Sequence, residues 1–132
     1  MVQLRFTLSF LALVLAASLA LSCGANSAVP ANRLQSVTLS PATADAQEAQ
    51  FTATGHYINP TQSVTPQPVA WGACQQSAPT TDVSVTAKGL AQCASGASGT
   101  YTVFGYVQTN CDLINACGGG CTVVGTAQLT CP

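Results

Sequence analysis

The residues with the most informative chemistry in this 132-residue chain are its seven cysteines. Six of them follow Cys23, and an even number in a small domain favours disulfides, which form and persist in oxidising compartments. These six are Cys74, Cys93, Cys111, Cys117, Cys121 and Cys131. Zinc binding or redox activity is the alternative, but both commonly use a Cys-x-x-Cys pair, and the sequence contains none. We predict disulfides, with no metal and no cofactor.

The seventh cysteine, Cys23, ends an apolar segment that follows Arg5. A basic start, a short apolar run and small residues at the exit are typical of a secretory signal peptide. The apolar run covers residues 6–21, which is shorter than the roughly 20 residues that a helix needs to cross a bilayer. We therefore expect residues 1–22 to be removed, with an uncleaved membrane anchor as the alternative.

Residues 19–23, Leu-Ala-Leu-Ser-Cys, resemble the lipobox of bacterial lipoproteins. The resemblance implies that Cys23 is diacylated, becomes the new amino terminus and attaches the protein to a membrane. Ala20 departs from the commoner Leu at its position. Ordinary signal-peptidase cleavage after Ala20 is the alternative, but the even set of six later cysteines favours lipidation. Gly24, in place of an Asp, favours the outer membrane where one exists.

Charged residues are scarce after residue 22. Two cations stand against four carboxylates, a net charge of −2; these residues are Arg33, Lys88, Asp45, Glu48, Asp82 and Asp112. Nucleic-acid binding requires a clustered basic face, so a nucleic-acid partner is excluded. The membrane attachment that we expect depends on the acyl chains of Cys23.

The pattern of the remaining chain predicts an all-β fold. Residues 23–34 are rich in small and polar residues and are predicted to be a flexible tether, followed by one domain over residues 35–132. Within that domain, apolar and polar residues alternate with a period of two, which is typical of half-buried strands. The predicted strands are 36–40, 49–57, 69–73, 82–86, 90–93, 100–109 and 121 to about 130.

About seven short strands with turn residues between them favour an immunoglobulin-like two-sheet sandwich, and a closed barrel is the alternative. Trp71, on the third strand, is expected to be buried between the sheets in contact with Phe51, Val85 and Val103. The segment Ala87-Lys88-Gly89 is predicted to be a tight turn in which the glycine has a positive φ.

Several segments also match, in order, the pattern of a known family. These are Ser40-Pro41 after the first strand, QFTATG at 50–55, Val-Ala-Trp at 69–71, VSVTAKGLAQ at 83–92 and Gly-Thr-Tyr at 99–101. As a set they resemble the bacterial Ig-like domains of group 2, over residues 35–109. The resemblance implies a structural or adhesive module of the cell envelope. The cysteines depart from the family pattern, as does the long segment 110–121.

The predicted strand order suggests one disulfide. Cys74 and Cys93 each end a strand at the same pole of the sandwich, so we predict that they pair. Cys111, Cys117 and Cys121 are expected at the opposite pole, and Cys131 at the first. Three cysteines at each pole cannot all pair locally, so the remaining connectivity stays open. A Cys121–Cys131 pair is not expected, because an extended strand separates them.

Three other features have a functional and a structural interpretation. His56, the only histidine, could belong to a Ser-His-Asp site, but no Gly-x-Ser-x-Gly motif occurs and a surface position is favoured. Residues 118–120 could form an anion-binding nest or a flexible turn. Phe104 and Tyr106 point outward, either as a contact surface or as cover for the sheet.

These observations predict a protein that is not an enzyme. We expect a lipid-anchored cell-envelope module with a structural or protein-binding, adhesion-type role. The alternative is a small exported carbohydrate- or ligand-binding protein that uses the loop from Cys111 to Cys121.

Overall fold

A computed structural model describes residues 32–109 and 111–132. This part of the chain contains eleven strands and one short helix. The elements are β1 (Arg33–Ser40), β2 (Thr43–Asp45), β3 (Glu48–Gln50), β4 (Thr52–Ile58), β5 (Gln62–Val64), β6 (Ala70–Gln75), β7 (Ala78–Pro79), β8 (Val83–Val85), β9 (Leu90–Cys93), β10 (Gly99–Tyr106), α1 (Leu113–Cys117) and β11 (Val124–Cys131).

The strands form an immunoglobulin-like sandwich, which confirms the predicted fold class. One layer is a five-stranded sheet in the order β2-β11-β10-β6-β7, in which β2 runs parallel to β11. The facing layer consists of two three-stranded sheets, β1-β4-β5 and β3-β9-β8. Apolar side chains from all three sheets meet in one core, and its largest fully buried members are Tyr101, Phe51, Leu129 and Val103.

The facing layer is divided at Phe51. The sequence predicts one strand over residues 49–57, but β3 pairs with β9 whereas β4 pairs with β1. Phe51 lies between them, is fully buried, and its N–H donates to the carbonyl of Gly89 at 2.8 Å. The turn before β9 therefore bonds to the residue at which the chain leaves β3 and enters β4. The pairing within the facing layer is interrupted at this point.

Two glycines bring β1 close to the five-stranded sheet. Gly105 and Gly125 lie opposite each other on β10 and β11. A Cβ on Gly105 would lie 3.0 Å from Leu39 Cδ2, and one on Gly125 would lie 3.0 Å from Val37 Cγ1. Because neither glycine carries a side chain, the alternating apolar residues of β1 pack directly on the sheet.

Most predicted strands are present, with altered ends. β1 begins at Arg33, two residues inside the predicted tether, and β11 begins at Val124 rather than at Cys121. Gly89 has the predicted positive φ, at 82°. Trp71, which we predicted to be buried between the sheets, packs against the core but is only partly buried.

Candidate functional site

All six cysteines after Cys23 form disulfides in the structure. The pairs are Cys74–Cys117, Cys93–Cys131 and Cys111–Cys121, with Cα atoms 5.7, 6.0 and 5.6 Å apart. Because each sulfur atom is bonded to another, this set does not supply thiolate ligands for zinc. The six cysteines that we predicted to form disulfides do so, in three separate pairs. The predicted Cys74–Cys93 pair is wrong. Cys121 does not pair with Cys131, as expected.

The Cys74–Cys93 prediction fails because the two side chains lie on opposite sides of the five-stranded sheet, Cys74 in the outer apolar cluster and Cys93 in the main core. Trp71 and Ala73 of β6 point toward the main core, so the next residue, Cys74, points outward. Cys93 points inward and belongs to the main core. Cys131 points into the same core from β11 of the five-stranded sheet, and the Cys93–Cys131 disulfide therefore links the two layers.

The outer face of the five-stranded sheet is covered by the segment 111–121, here called the cover segment. Phe104 and Tyr106 point outward from β10, as predicted, and are only 8% and 7% exposed. They pack with Cys74, Ala116 and Cys117 in a second apolar cluster. The two outward aromatic residues therefore belong to a small second core between the sheet and the cover segment.

The cover segment begins with an N-capped helical turn. Asp112 precedes α1, and its Oδ1 accepts a hydrogen bond from the N–H of Asn115 at 2.8 Å. Such a cap satisfies one of the free N–H groups at a helix start. The cap and the Cys111–Cys121 disulfide hold α1 as a five-residue helix against the sheet.

The glycines at 118–120 terminate α1. The N–H groups of Gly118 and Gly120 donate to the carbonyls of Ile114 and Asn115 at 3.0 and 2.8 Å. Gly119 has a φ of 78°, the left-handed conformation common after a helix end. Because their N–H groups satisfy helix carbonyls, these glycines cap the helix and do not form an anion-binding nest.

A groove of about 370 Å³, which we call the Cys111 groove, lies where the cover segment meets the start of β1. Its lining residues are Arg33, Leu34, Gln35, Val107, Thr109, Cys111, Thr122 and Val123. The chain therefore enters the domain at the pole that holds the Cys111–Cys121 disulfide. The Cys93–Cys131 disulfide lies at the other pole, beside β2 and β3.

His56 lies on the outer face of β4, between β1 and β5. Its Nε2 is 3.1 Å from Thr38 Oγ1, and its Nδ1 is 3.0 Å from Ser63 Oγ. The structure places a serine and a threonine beside the histidine, and the hydrogen-bond partners described for it include no carboxylate. An imidazole that joins two hydroxyl groups is a surface hydrogen-bonding arrangement. The prediction that the chain is not an enzyme stays a prediction.

Sequence comparisons identify no relative. No protein-family model matches the chain, and a search of curated proteins found no significant match. The resemblance to the group 2 Ig-like domains therefore stays a prediction. Cys23 and the predicted signal peptide lie outside the described residues, and within those residues no helix is long and apolar enough to span a membrane.

Proposed function

We propose that this chain is a lipid-anchored cell-envelope protein whose Ig-like domain has a structural or protein-binding role. The observation that carries the proposal is the cysteine pairing. The three disulfides pair the six later cysteines among themselves, so Cys23 is not needed as a disulfide partner. Disulfide formation supports export to an oxidising compartment, and a seventh cysteine at a lipobox-like sequence supports acylation.

The construction of the domain favours a rigid module. One disulfide links the two layers, a second fixes the cover segment to β6, and a third closes that segment on itself. Apart from tyrosines, no polar or charged side chain is buried in the described part of the chain. A stiff apolar sandwich with few charges suits a role in which the domain holds its shape and presents a surface.

An anchor at Cys23 would orient the domain. The chain enters at the pole that holds the Cys111 groove, so this pole would face the membrane. Three carboxylates lie near the pole with the Cys93–Cys131 disulfide. Asp45 pairs with β11 and Glu48 with β9. The carbonyl of Asp82 accepts a hydrogen bond from the N–H of Ala94, just after β9. This acidic pole would point away from the membrane, toward a protein partner.

The anchor is tested by replacing Cys23. We expect Cys23→Ser to release the protein from the membrane fraction or to block its maturation, because two or more acyl chains give the stable attachment that one chain cannot. Ser27→Ala, outside the lipobox-like residues, is the control and should stay membrane-bound. Intact-mass measurement of membrane-extracted wild type should show acyl chains on Cys23. An unmodified Cys23 in that measurement would overturn the anchor.

The second candidate function is ligand binding at the Cys111 groove. The observation that favours it is the groove itself, whose volume lies within the usual range of small-molecule sites. Cross-linking in intact cells, followed by identification of bound proteins, tests the first function, and a glycan-binding screen tests the second. Substitution of Arg33 by Gln should weaken only a ligand bound in this groove.

A further inference from the structure

Trp71 is the unusual residue of this sandwich. In antibody domains the tryptophan on the corresponding strand is buried in the core. Here Trp71 is only partly buried, and it forms part of the wall of a second groove, the Trp71 groove, of about 370 Å³. Beside it lie Phe51, Pro66, Pro68, Gln67 and Lys88. The chain's only tryptophan therefore packs against the core and also borders a groove.

The groove has a clear structural origin. The facing layer divides at Phe51, where β3 ends on β9 and β4 begins on β1. Trp71 belongs to the opposite sheet, and its ring reaches the turn before β9, where a Cβ on Gly89 would lie 2.9 Å from Trp71 Cζ2. One end of the indole is thus held against Gly89, and the opening in the layer leaves the groove beside it.

One side of the groove is fixed by Gln67. Its backbone N–H donates to the carbonyl of Ala53 at 2.8 Å, and its Oε1 accepts a hydrogen bond from the Tyr57 hydroxyl at 2.7 Å. The Gln67 side chain lies over Gly55, in the space that a Cβ there would occupy. The amide is therefore positioned before any ligand binds, which lowers the entropic cost of binding.

The other side is fixed by the turn that carries Lys88. Gln50 Nε2 donates to the Lys88 carbonyl at 2.7 Å, and the N–H of Phe51 donates to the carbonyl of Gly89 at 2.8 Å. The Lys88 side chain is exposed and lines the groove. Lys88 and Arg33 are the only cations in the sequence after residue 22, and Arg33 lines the other groove. The Trp71 groove therefore combines an apolar aromatic wall, an amide and a single positive charge.

We propose that the Trp71 groove binds an acidic sugar, a pyranose that carries a carboxylate. A pyranose ring has an apolar C–H face that can lie against the tryptophan and a hydroxyl edge that can bond to the Gln67 amide. Its carboxylate would accept a charge-assisted hydrogen bond from Lys88. The volume is at the lower end of the range for small-molecule sites, enough for one or two sugar rings. This site is separate from the loop between Cys111 and Cys121.

Trp71 fluorescence gives a direct test, because no other tryptophan contributes to the signal. The purified oxidised protein is titrated with tetragalacturonate and, separately, with the neutral sugar maltotetraose. We expect a saturable change in Trp71 emission with the acidic sugar, and at least tenfold weaker binding of the neutral one. Raising the ionic strength should weaken only the acidic sugar.

Matched variants locate the site. Lys88→Gln should weaken tetragalacturonate binding about tenfold, as expected for the loss of one charge-assisted contact. Arg33→Gln removes the other cation and should bind like the wild type. Trp71→Phe, followed by calorimetry after its fold is checked by circular dichroism, should also bind more weakly. No saturable response, equal binding of both sugars, or a larger loss in Arg33→Gln than in Lys88→Gln would each overturn the proposal. The outcome is independent of the anchor, because Cys23→Ser protein should bind the sugar unchanged.

Discussion

Leu113 of α1 rests on Gly72 of β6, and its Cδ atoms occupy the space where a side chain at residue 72 would begin. The contact joins the cover segment to the five-stranded sheet, two residues from the Cys74–Cys117 disulfide. A glycine at position 72 is therefore required for α1 to lie flat over Phe104 and Tyr106.

The first prediction concerns this contact. Gly72→Ala places a methyl group inside the Leu113 side chain, and we expect a loss of about 1–3 kcal/mol in the free energy of unfolding, as in other overpacked cores. Gly118→Ala is the control, since its Cβ would lie 3.4 Å from the nearest atom at an ordinary φ of −80°. Denaturant unfolding measures both. In the double variant with Leu113→Ala, the added cost of Gly72→Ala should largely disappear, and strict additivity would contradict the contact.

The second prediction concerns the order in which the disulfides are reduced. Cys111 and Cys121 are partly exposed, whereas the other four cysteines are 3–8% exposed. A mild thiol reductant should therefore open Cys111–Cys121 first, since thiol–disulfide exchange requires access to a sulfur atom. Alkylation of the new thiols followed by peptide mapping identifies the bridge. Early labelling of Cys93 or Cys131 would contradict the burial of that pair.

The third prediction compares Gly89, in the turn before β9, with Gly96, after β9. The comparison separates the cost of backbone strain from the cost of steric overlap. Gly89 and Gly96 both have φ near 82°, but only at Gly89 would a Cβ overlap another atom, the carbonyl oxygen of Phe51. Gly96→Ala should cost about 1–2 kcal/mol from the left-handed conformation alone. Gly89→Ala should cost clearly more and should shift the Trp71 emission. Equal costs in thermal unfolding would mean that the Gly89–Phe51 contact is unimportant.

The fourth prediction concerns Tyr101, whose hydroxyl lies 3.2 Å from both the Ser98 carbonyl and Asp82 Oδ2. The bond to Ser98, three residues upstream, resembles the tyrosine corner of immunoglobulin-like domains. Tyr101→Phe removes the hydroxyl and both of its hydrogen bonds, and should lower the free energy of unfolding. Chemical denaturation of the variant at neutral pH measures this cost, with the wild type as reference.

The same residue should give the domain an alkaline pH dependence. Burial raises the pKa of Tyr101 above its usual value of 10.0, and the hydrogen bond and charge of Asp82 raise it further. Since the folded pKa exceeds the unfolded one, this stabilisation is fully present below pH 10 and is lost as the pH rises through the folded pKa. Above pH 10, the free energy of unfolding should therefore decrease more steeply with pH for the wild type than for Tyr101→Phe. Parallel curves would contradict the raised pKa.

The local pattern predicts which residues of each strand face the core. Val37 and Leu39, Tyr101 and Val103, and Ala127 and Leu129 are buried as their alternation requires. The same alternation contains the signal that corrects the disulfide prediction. If Trp71 points inward, Cys74 three residues later must point outward, toward the side on which Phe104 and Tyr106 lie.

The sequence by itself determined the strands, their inner faces, the turn at Gly89 and the set of six cysteines. The tertiary structure decided the partner of each cysteine, the division of the strand at Phe51 and the path of the cover segment over the outer sheet. The physical reason is the range of each signal. A period of two is a property of neighbouring residues, whereas the Leu113–Gly72 contact and the Cys74–Cys117 disulfide join residues 41 and 43 positions apart. Such contacts depend on the pairing of β6 with β10, which presents an apolar surface to α1.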